Sequence, residues 1–150
     1  VLDIPSEAIY LKDIKNGKAW SIGALPMPDE NDYYITYGFG YANYEHVSDN
    51  LLQNVNIFVS KTDKVKINIV RIKNVLPEKR NLKLIYYIKP VLGEDEIKTI
   101  GNISLKREGN ILIAQNSYSE DVEKNIAFVS CSENIKSFTG SKRSLWEMEG

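Results

Sequence analysis

The sequence holds one cysteine, Cys131, and one histidine, His46. A single cysteine excludes an internal disulfide and any cysteine-rich zinc site. A single histidine excludes multi-histidine metal centres and every catalytic scheme that needs two imidazoles. Long apolar runs are missing as well: stretches such as Leu84–Ile88 fall far short of the roughly 20 residues of a membrane-spanning helix. Neither charge dominates, with 19 Lys and Arg against 20 Asp and Glu and a net charge of −1. That balance provides no basic footprint for nucleic acid. The opening Val1-Leu2-Asp3-Ile4-Pro5 carries neither a basic region nor an apolar stretch, so no signal peptide is read. A cytoplasmic location without membrane contact is the expectation. No Gly-x-x-x-x-Gly-Lys and no Gly-x-Ser-x-Gly occurs.

What is present is a core-forming composition arranged in alternation. With 150 residues, 43% of them hydrophobic, the chain suits one domain that buries roughly 70% of its unfolded surface. In Val55-Asn56-Ile57-Phe58-Val59 the odd positions share one face, and Val65, Ile67 and Ile69 do the same with Lys66 and Asn68 facing out. Val70-Arg71-Ile72 shifts that parity by one, as a bulge would. Leu82–Ile88, β-branched and aromatic, predicts a central strand. Ile103-Ser104-Leu105 and Ile111-Leu112-Ile113 flank a tight hairpin turn at Arg107–Asn110, and Ala127, Val129 and Cys131 line one face of a further strand. Turn residues recur every 8–12 residues or so, which predicts an all-β antiparallel sandwich rather than alternating strands and helices. Helix is restricted to single turns at Asp95–Ile100 and Glu120–Asn125. Residues 1–150 read as one sandwich domain, a piece of a larger protein.

The unusual segment runs from Tyr33 to His46, YYITYGFGYANYEH. Fully extended, it places Tyr33, Ile35, Tyr37, Phe39 and Tyr41 on one face, and Tyr34, Thr36, Gly38, Gly40, Ala42, Tyr44 and His46 on the other. Two glycines flatten the second face and permit a bulge or a close approach. Aromatic faces suit sugar rings, whose axial C–H bonds pack on π-electrons while hydroxyls reach polar neighbours. The alternative places most of these aromatics in the core, where large aromatics usually lie. Glu45 and His46 are adjacent, so on a strand they point apart and form no acid–base pair. His46 either bonds a sugar hydroxyl or serves as a satisfied structural residue.

Other constellations carry less chemistry. Glu94-Asp95-Glu96 and Glu120-Asp121-Val122-Glu123 read as solvated loop charge rather than a glycosidic acid–base pair held about 5–9 Å apart. Cys131 reads as a small buried hydrophobe. Asn102-Ile103-Ser104 matches a glycosylation sequon without a secretion signal beside it. No catalytic residue and no metal ligand is assigned.

The stretches YGFGYANYEH at Tyr37–His46, PSEAIYLKD at Pro5–Asp13 and GKAWS at Gly17–Ser21 carry a resemblance to the N-terminal domain of glycoside hydrolase family 94, formerly glycosyltransferase family 36. Tyr37-Gly38-Phe39-Gly40-Tyr41-Ala42-Asn43-Tyr44-Glu45-His46 is similar to the family's HGFGYSxFEH pattern. Pro5–Asp13 resembles PSEAxYLRD, and Gly17–Ser21 resembles GExWS. Asn56–Ser60 with Val65–Ile67, then Arg71–Asn74 and Tyr87–Gly93, extend the likeness, which thins over the last third. At Ser141–Trp146 the acidic residue and the glycine of the family's GDRxxFLG-like segment are missing. The pattern is most similar to cyclic β-1,2-glucan synthases and 1,2-β-oligoglucan phosphorylases.

The resemblance implies a galactose-mutarotase-like supersandwich that leads into an (α/α)6 catalytic barrel, with inorganic phosphate as co-substrate in a phosphorylase and no other cofactor. It implies a non-catalytic domain that borders a cleft for β-glucan oligosaccharide, contacts its own helical barrel and aids homodimerisation. Tyr37, Phe39, Tyr41, Tyr44, Glu45 and His46 are the candidate carbohydrate contacts, although Tyr37 stands where the family often has His. An autonomous carbohydrate-binding module is the alternative, and measurable affinity of the isolated chain for β-1,2-gluco-oligosaccharides separates it from a cleft-bordering domain. Mutarotation, which in such folds uses two histidines and a glutamate, does not fit one histidine.

Overall fold

The structure, a computed structural model, describes residues 5–93, 99, 102–116 and 126–140. It divides into two compact units, Val1–Lys89 and Pro90–Gly150. Among the described residues, ten strands form three antiparallel sheets, and no helix is long and apolar enough to cross a membrane.

In the first unit, β1 (Glu7–Asp13) lies between β2 (Ala19–Ser21) and β7 (Leu82–Ile88). A second sheet joins β3 (Tyr33–Gly38), β4 (Tyr41–Ser48), β5 (Leu51–Val59) and β6 (Lys66–Asn74) in that order. The two sheets share one core: Leu11, Trp20 and Ile22 from the first side pack with Leu51 and Val55 of β5, and Ile9, Tyr44, Ile57, Val70, Ile72 and Leu82 close around them. Full burial of a side chain the size of Leu11 contributes about 1.5–3 kcal/mol. The buried indole satisfies its one donor, Trp20 Nε1 to Gln53 Oε1 at 2.8 Å.

Local chemistry fixes the turns. Asp49 and Asn50 join β4 to β5 with φ of 51° and 59°, the paired positive angles of a type I′ hairpin that Asp and Asn tolerate. Arg80 reaches that turn, donating to the Asp49 carbonyl at 2.9 Å, and also donates through Nε to Asp13 Oδ2 at 2.9 Å. Asp13 Oδ1 accepts the Lys15 amide at 2.7 Å and so closes the turn after β1. Burial alone would raise the Asp13 carboxyl. Hydrogen bonds from Arg80, Lys15 and Asn16, with the guanidinium charge, outweigh it and hold the group below the ordinary carboxylate value. Towards the other end of β1, Glu7 accepts from Tyr86 at 2.7 Å and from Asn68 at 3.1 Å and pairs with Lys66, tying β1 to β6 and β7.

In the second unit, β8 (Ile103–Glu108), β9 (Ile111–Asn116) and β10 (Ile126–Ser130) form a meander with β9 in the middle. The β8–β9 hairpin turns at Gly109-Asn110, as expected. Asn110 then holds the chain that follows β10, donating to the Cys131 and Glu133 carbonyls and accepting from the Ile135 amide at 2.8 Å.

The all-β architecture agrees with the alternation, but four details differ. The strand Leu82–Ile88 is an edge of its sheet, and β1 is the central one. Of its aromatics, Tyr86 bonds Glu7 on the neighbouring strand β1, and Glu7 in turn reaches Asn68 of the second sheet. No bulge interrupts β6, which pairs with β5 in unbroken register from Lys66 to Asn74. It carries apolar side chains on both faces, so Ile67 and Ile69 are the exposed ones, while Val70 and Ile72 pack inward. Cys131 lies beyond the end of β10 and is exposed. The expected helical turns fall outside the described residues, apart from the helical Thr99.

Candidate functional site

The segment Tyr33–His46 is a hairpin, not one extended strand. β3 and β4 pair from Tyr33↔His46 to Gly38↔Tyr41, and Phe39-Gly40 makes a two-residue turn with Gly40 at φ 80°. The turn reverses the parity expected for a continuous strand. Tyr37 therefore shares the inner face with its partner Ala42 and with Tyr44, whereas Tyr41 lies with Gly38 on the outer face. Gly38 is needed for that arrangement: a Cβ there would meet Tyr41 Cε1 at 2.1 Å, so the phenol ring lies flat across the glycine.

The base of the hairpin is packed. His46 is 1% exposed and stacks on Tyr33 with ring centroids 3.8 Å apart and 3° between planes. His46 Nδ1 is 2.9 Å from the Asp32 carbonyl, which can only accept, so Nδ1–H is the donor of that bond. Nε2 lies 3.1 Å from Asp29 Oδ1 without the alignment of a hydrogen bond. Ser48 donates to the other Asp29 oxygen, and Lys18 Nζ stands 3.8 Å away. Burial would raise the Asp29 carboxyl, but hydrogen bonds from Ser48 and Asn31 and the nearby His46 prevail and lower it. The Tyr33 hydroxyl donates to the Ser21 carbonyl at 3.1 Å and accepts from the Asp29 amide at 3.1 Å. Burial, with the Asp29 charge, raises it despite the bond from the Asp29 amide.

The tip is open. Phe39 is fully exposed, Tyr37 is 72% exposed and Tyr41 is 45% exposed. Phe39, Gly40 and Tyr41 line a shallow outer-face cleft of about 450 Å³ with Asn56, Phe58, Val59 and Lys61. Tyr41 and Phe58 are direct cross-strand partners. On the inner side Tyr44 is half-buried, and burial followed by its hydrogen bond to Tyr37 raises its hydroxyl.

Of the six residues singled out by sequence, Phe39 and Tyr41 meet in the cleft and Tyr37 and Tyr44 meet on the opposite face. Glu45 is exposed on the outer face beside Tyr34 and Asn54. His46 joins neither group and sits in the packed base. Asn56, Phe58 and Lys61 were missed. Reading Phe39-Gly40 as a turn would have found the first two, because it sets Tyr41 opposite Phe58 and puts the even positions of β5 on the same face. Among the described residues, no group of three or more His, Cys, Asp or Glu is placed to hold a metal ion.

Comparison with known proteins adds the family. The family described as "Glycosyl hydrolase 94, supersandwich domain" matches residues 1–148. Cyclic beta-(1,2)-glucan synthase NdvB of Rhizobium meliloti (strain 1021) is 26% identical over 146 residues, 95% of this chain and 5% of that protein. Solabiose phosphorylase of Paenibacillus borealis is 28% identical over 81 residues, 53% of this chain and 10% of that protein. N,N'-diacetylchitobiose phosphorylase of Vibrio proteolyticus is 28% identical over 90 residues, 58% of this chain and 11% of that protein. The chain thus spans only a small part of each relative's length. With its antiparallel sheets and this match over nearly every residue, the chain belongs to the supersandwich domain family of glycosyl hydrolase 94.

Proposed function

We propose that this chain is the accessory, non-catalytic sandwich of a longer glycoside phosphorylase or β-glucan synthase, and that the β3–β4 tip borders its carbohydrate cleft. The observation that carries this reading is the exposure of Tyr37, Phe39 and Tyr41 at the hairpin tip, with Asn56 and Lys61 beside Phe39 and Tyr41 in the outer-face cleft. Three aromatic rings left in water at one hairpin tip forgo the burial that large aromatics normally obtain. Their faces suit sugar C–H surfaces, and the amide and ammonium suit hydroxyls. The same reading assigns the chemistry, with phosphate as co-substrate if the parent is a phosphorylase, to a helical barrel elsewhere in the protein. It also assigns the sandwich a part in dimerisation.

Steady-state kinetics of the full-length protein test it. Phe39→Ala and Tyr37→Ala are expected to raise KM for the saccharide several-fold with little change in kcat, because they remove binding at the cleft margin rather than transition-state contacts. An unchanged KM in both variants would refute the assignment. Turnover of sugar by the 150-residue chain alone would refute the non-catalytic role.

A further inference from the structure

The outer face of the β3–β4–β5–β6 sheet continues beyond the cleft as an ordered surface. Register places three successive rows on it. The first is Gly38, Tyr41, Phe58 and Ile67. The second is Thr36, Asn43, Asn56 and Ile69, and the third is Tyr34, Glu45, Asn54 and Arg71. The first row carries Tyr41 and Phe58, and the next two carry the polar hydrogen-bonding groups together with Ile69 and the exposed ring of Tyr34. The amides are not loose: Asn54 Nδ2 donates to Asn43 Oδ1 at 2.8 Å, and Arg71 Nη1 approaches Asn54 Oδ1 at 3.5 Å. Arg71 orients Asn54, Asn54 orients Asn43, and the remaining N–H groups of Asn43 and the amide of Asn56 are left to face solvent. Donors held in place before a ligand arrives lose less entropy on binding.

We propose that this outer face is a track for an extended β-linked gluco-oligosaccharide, which starts on the Tyr41 ring and runs over Asn43, Asn56 and Asn54 to Arg71. The inference rests on the carbohydrate reading above and deepens it by naming chain length, a polymer segment rather than a disaccharide; it also gives this face a weak affinity of its own in the isolated chain, as the autonomous-module alternative does and a cleft margin alone does not. Same-face residues on a strand are about 6.7 Å apart and neighbouring strands about 4.8 Å apart, so the diagonal from Tyr41 to Arg71, two rows along and two strands across, is about 16 Å and suits roughly three linked hexose rings. One ring stacks on Tyr41, whose other face is occupied by Gly38, and the following rings lie over a flat floor of amides. Arg71 supplies forked donors that match neighbouring hydroxyls. A protein partner fits less well, since the centre of this face holds amides flanked by Glu45 and Arg71, and interface centres are depleted of charge.

The test is a nuclear magnetic resonance titration of the ¹⁵N-labelled 150-residue chain with β-1,2-linked gluco-oligosaccharides from the disaccharide to the hexasaccharide. Affinity in the weak, millimolar range is expected to rise about tenfold from disaccharide to tetrasaccharide, equivalent to about 1.4 kcal/mol. The side-chain amides of Asn43, Asn54 and Asn56 should shift only with the longer chains. Asn54→Ala and, independently, Arg71→Ala should remove the length dependence and keep the disaccharide response at Tyr41. Equal affinity for every length, with shifts confined to Phe39–Tyr41, would overturn the track and leave the cleft-margin reading standing. Absence of any response in these residues, or concentration-dependent self-association through this face with no saccharide effect, would overturn the track as well. Kinetics of the full-length Tyr37 and Phe39 variants would then decide whether the wider reading survives.

Discussion

The two ends of the β3–β4 hairpin are both rich in aromatic rings and have opposite fates. At the base, Tyr33 and His46 stack face to face out of solvent and share a polar cluster with Asp29 and Ser48. At the tip, Tyr37, Phe39 and Tyr41 stand in water. What differs is the neighbourhood. The base is covered by the loop around Asp29 and by Ser21 of β2, whereas no such contact from the described residues reaches Phe39. Aromatic content by itself therefore does not distinguish a core residue from a binding residue. The cover over it does.

This contrast orders a set of substitutions. Leu11→Ala, in the core that the hairpin base joins, should cost about 2–5 kcal/mol through lost burial and a residual cavity, read from the urea midpoint. Ser48→Ala removes a hydrogen bond to the Asp29 carboxylate and should cost about 1–3 kcal/mol. Asp29 of that cluster and Asp13, which Arg80 holds, make the fold acid-sensitive. Asp13 and Asp29 both have folded-state values below their ordinary ones. Their contribution is therefore complete above the unfolded carboxylate value of about 3.9 and is lost as pH falls through the lower folded values, where the unfolded chain binds more protons. A urea midpoint that drops steeply below about pH 4, and a shallower drop in Asp29→Asn, is the expected result. Gly38→Ala forces the Tyr41 ring off its seat and should cost about 1 kcal/mol. Phe39→Ala should change stability by no more than about 0.5 kcal/mol. A large loss there would erase the distinction between base and tip.

Much of this was legible in the sequence, and the misses share a cause. Alternation in Val55–Val59 and in the segments around Gly109-Asn110 identified strands and a hairpin that the structure contains. The aromatic segment was recognised as unusual, and its family likeness is matched by the comparisons. The Phe39-Gly40 turn was not read, because alternating aromatics on both sides of a glycine look the same whether the chain continues or folds back. That one turn decides which of Tyr37 and Tyr41 faces the core side. In β6, apolar residues on both faces imitate a parity slip, and only pairing with β5 shows that the exposed pair is Ile67 and Ile69. Cys131 followed the strand pattern by one position too many. Burial of His46 depends on Asp29 and Asp32, which lie in a loop with no periodicity to read.

Hydrogen exchange along β3 and β4 of the full-length protein, with and without a β-1,2-gluco-oligosaccharide, tests the division of the hairpin most directly. Amides from Tyr44 to Ser48 should remain protected in both conditions. Those flanking Phe39-Gly40 should exchange quickly in the free chain and slow when the saccharide is present. Uniform protection from base to tip, or a fast-exchanging tip that ignores saccharide, would contradict a hairpin built with one end for the fold and the other for a ligand.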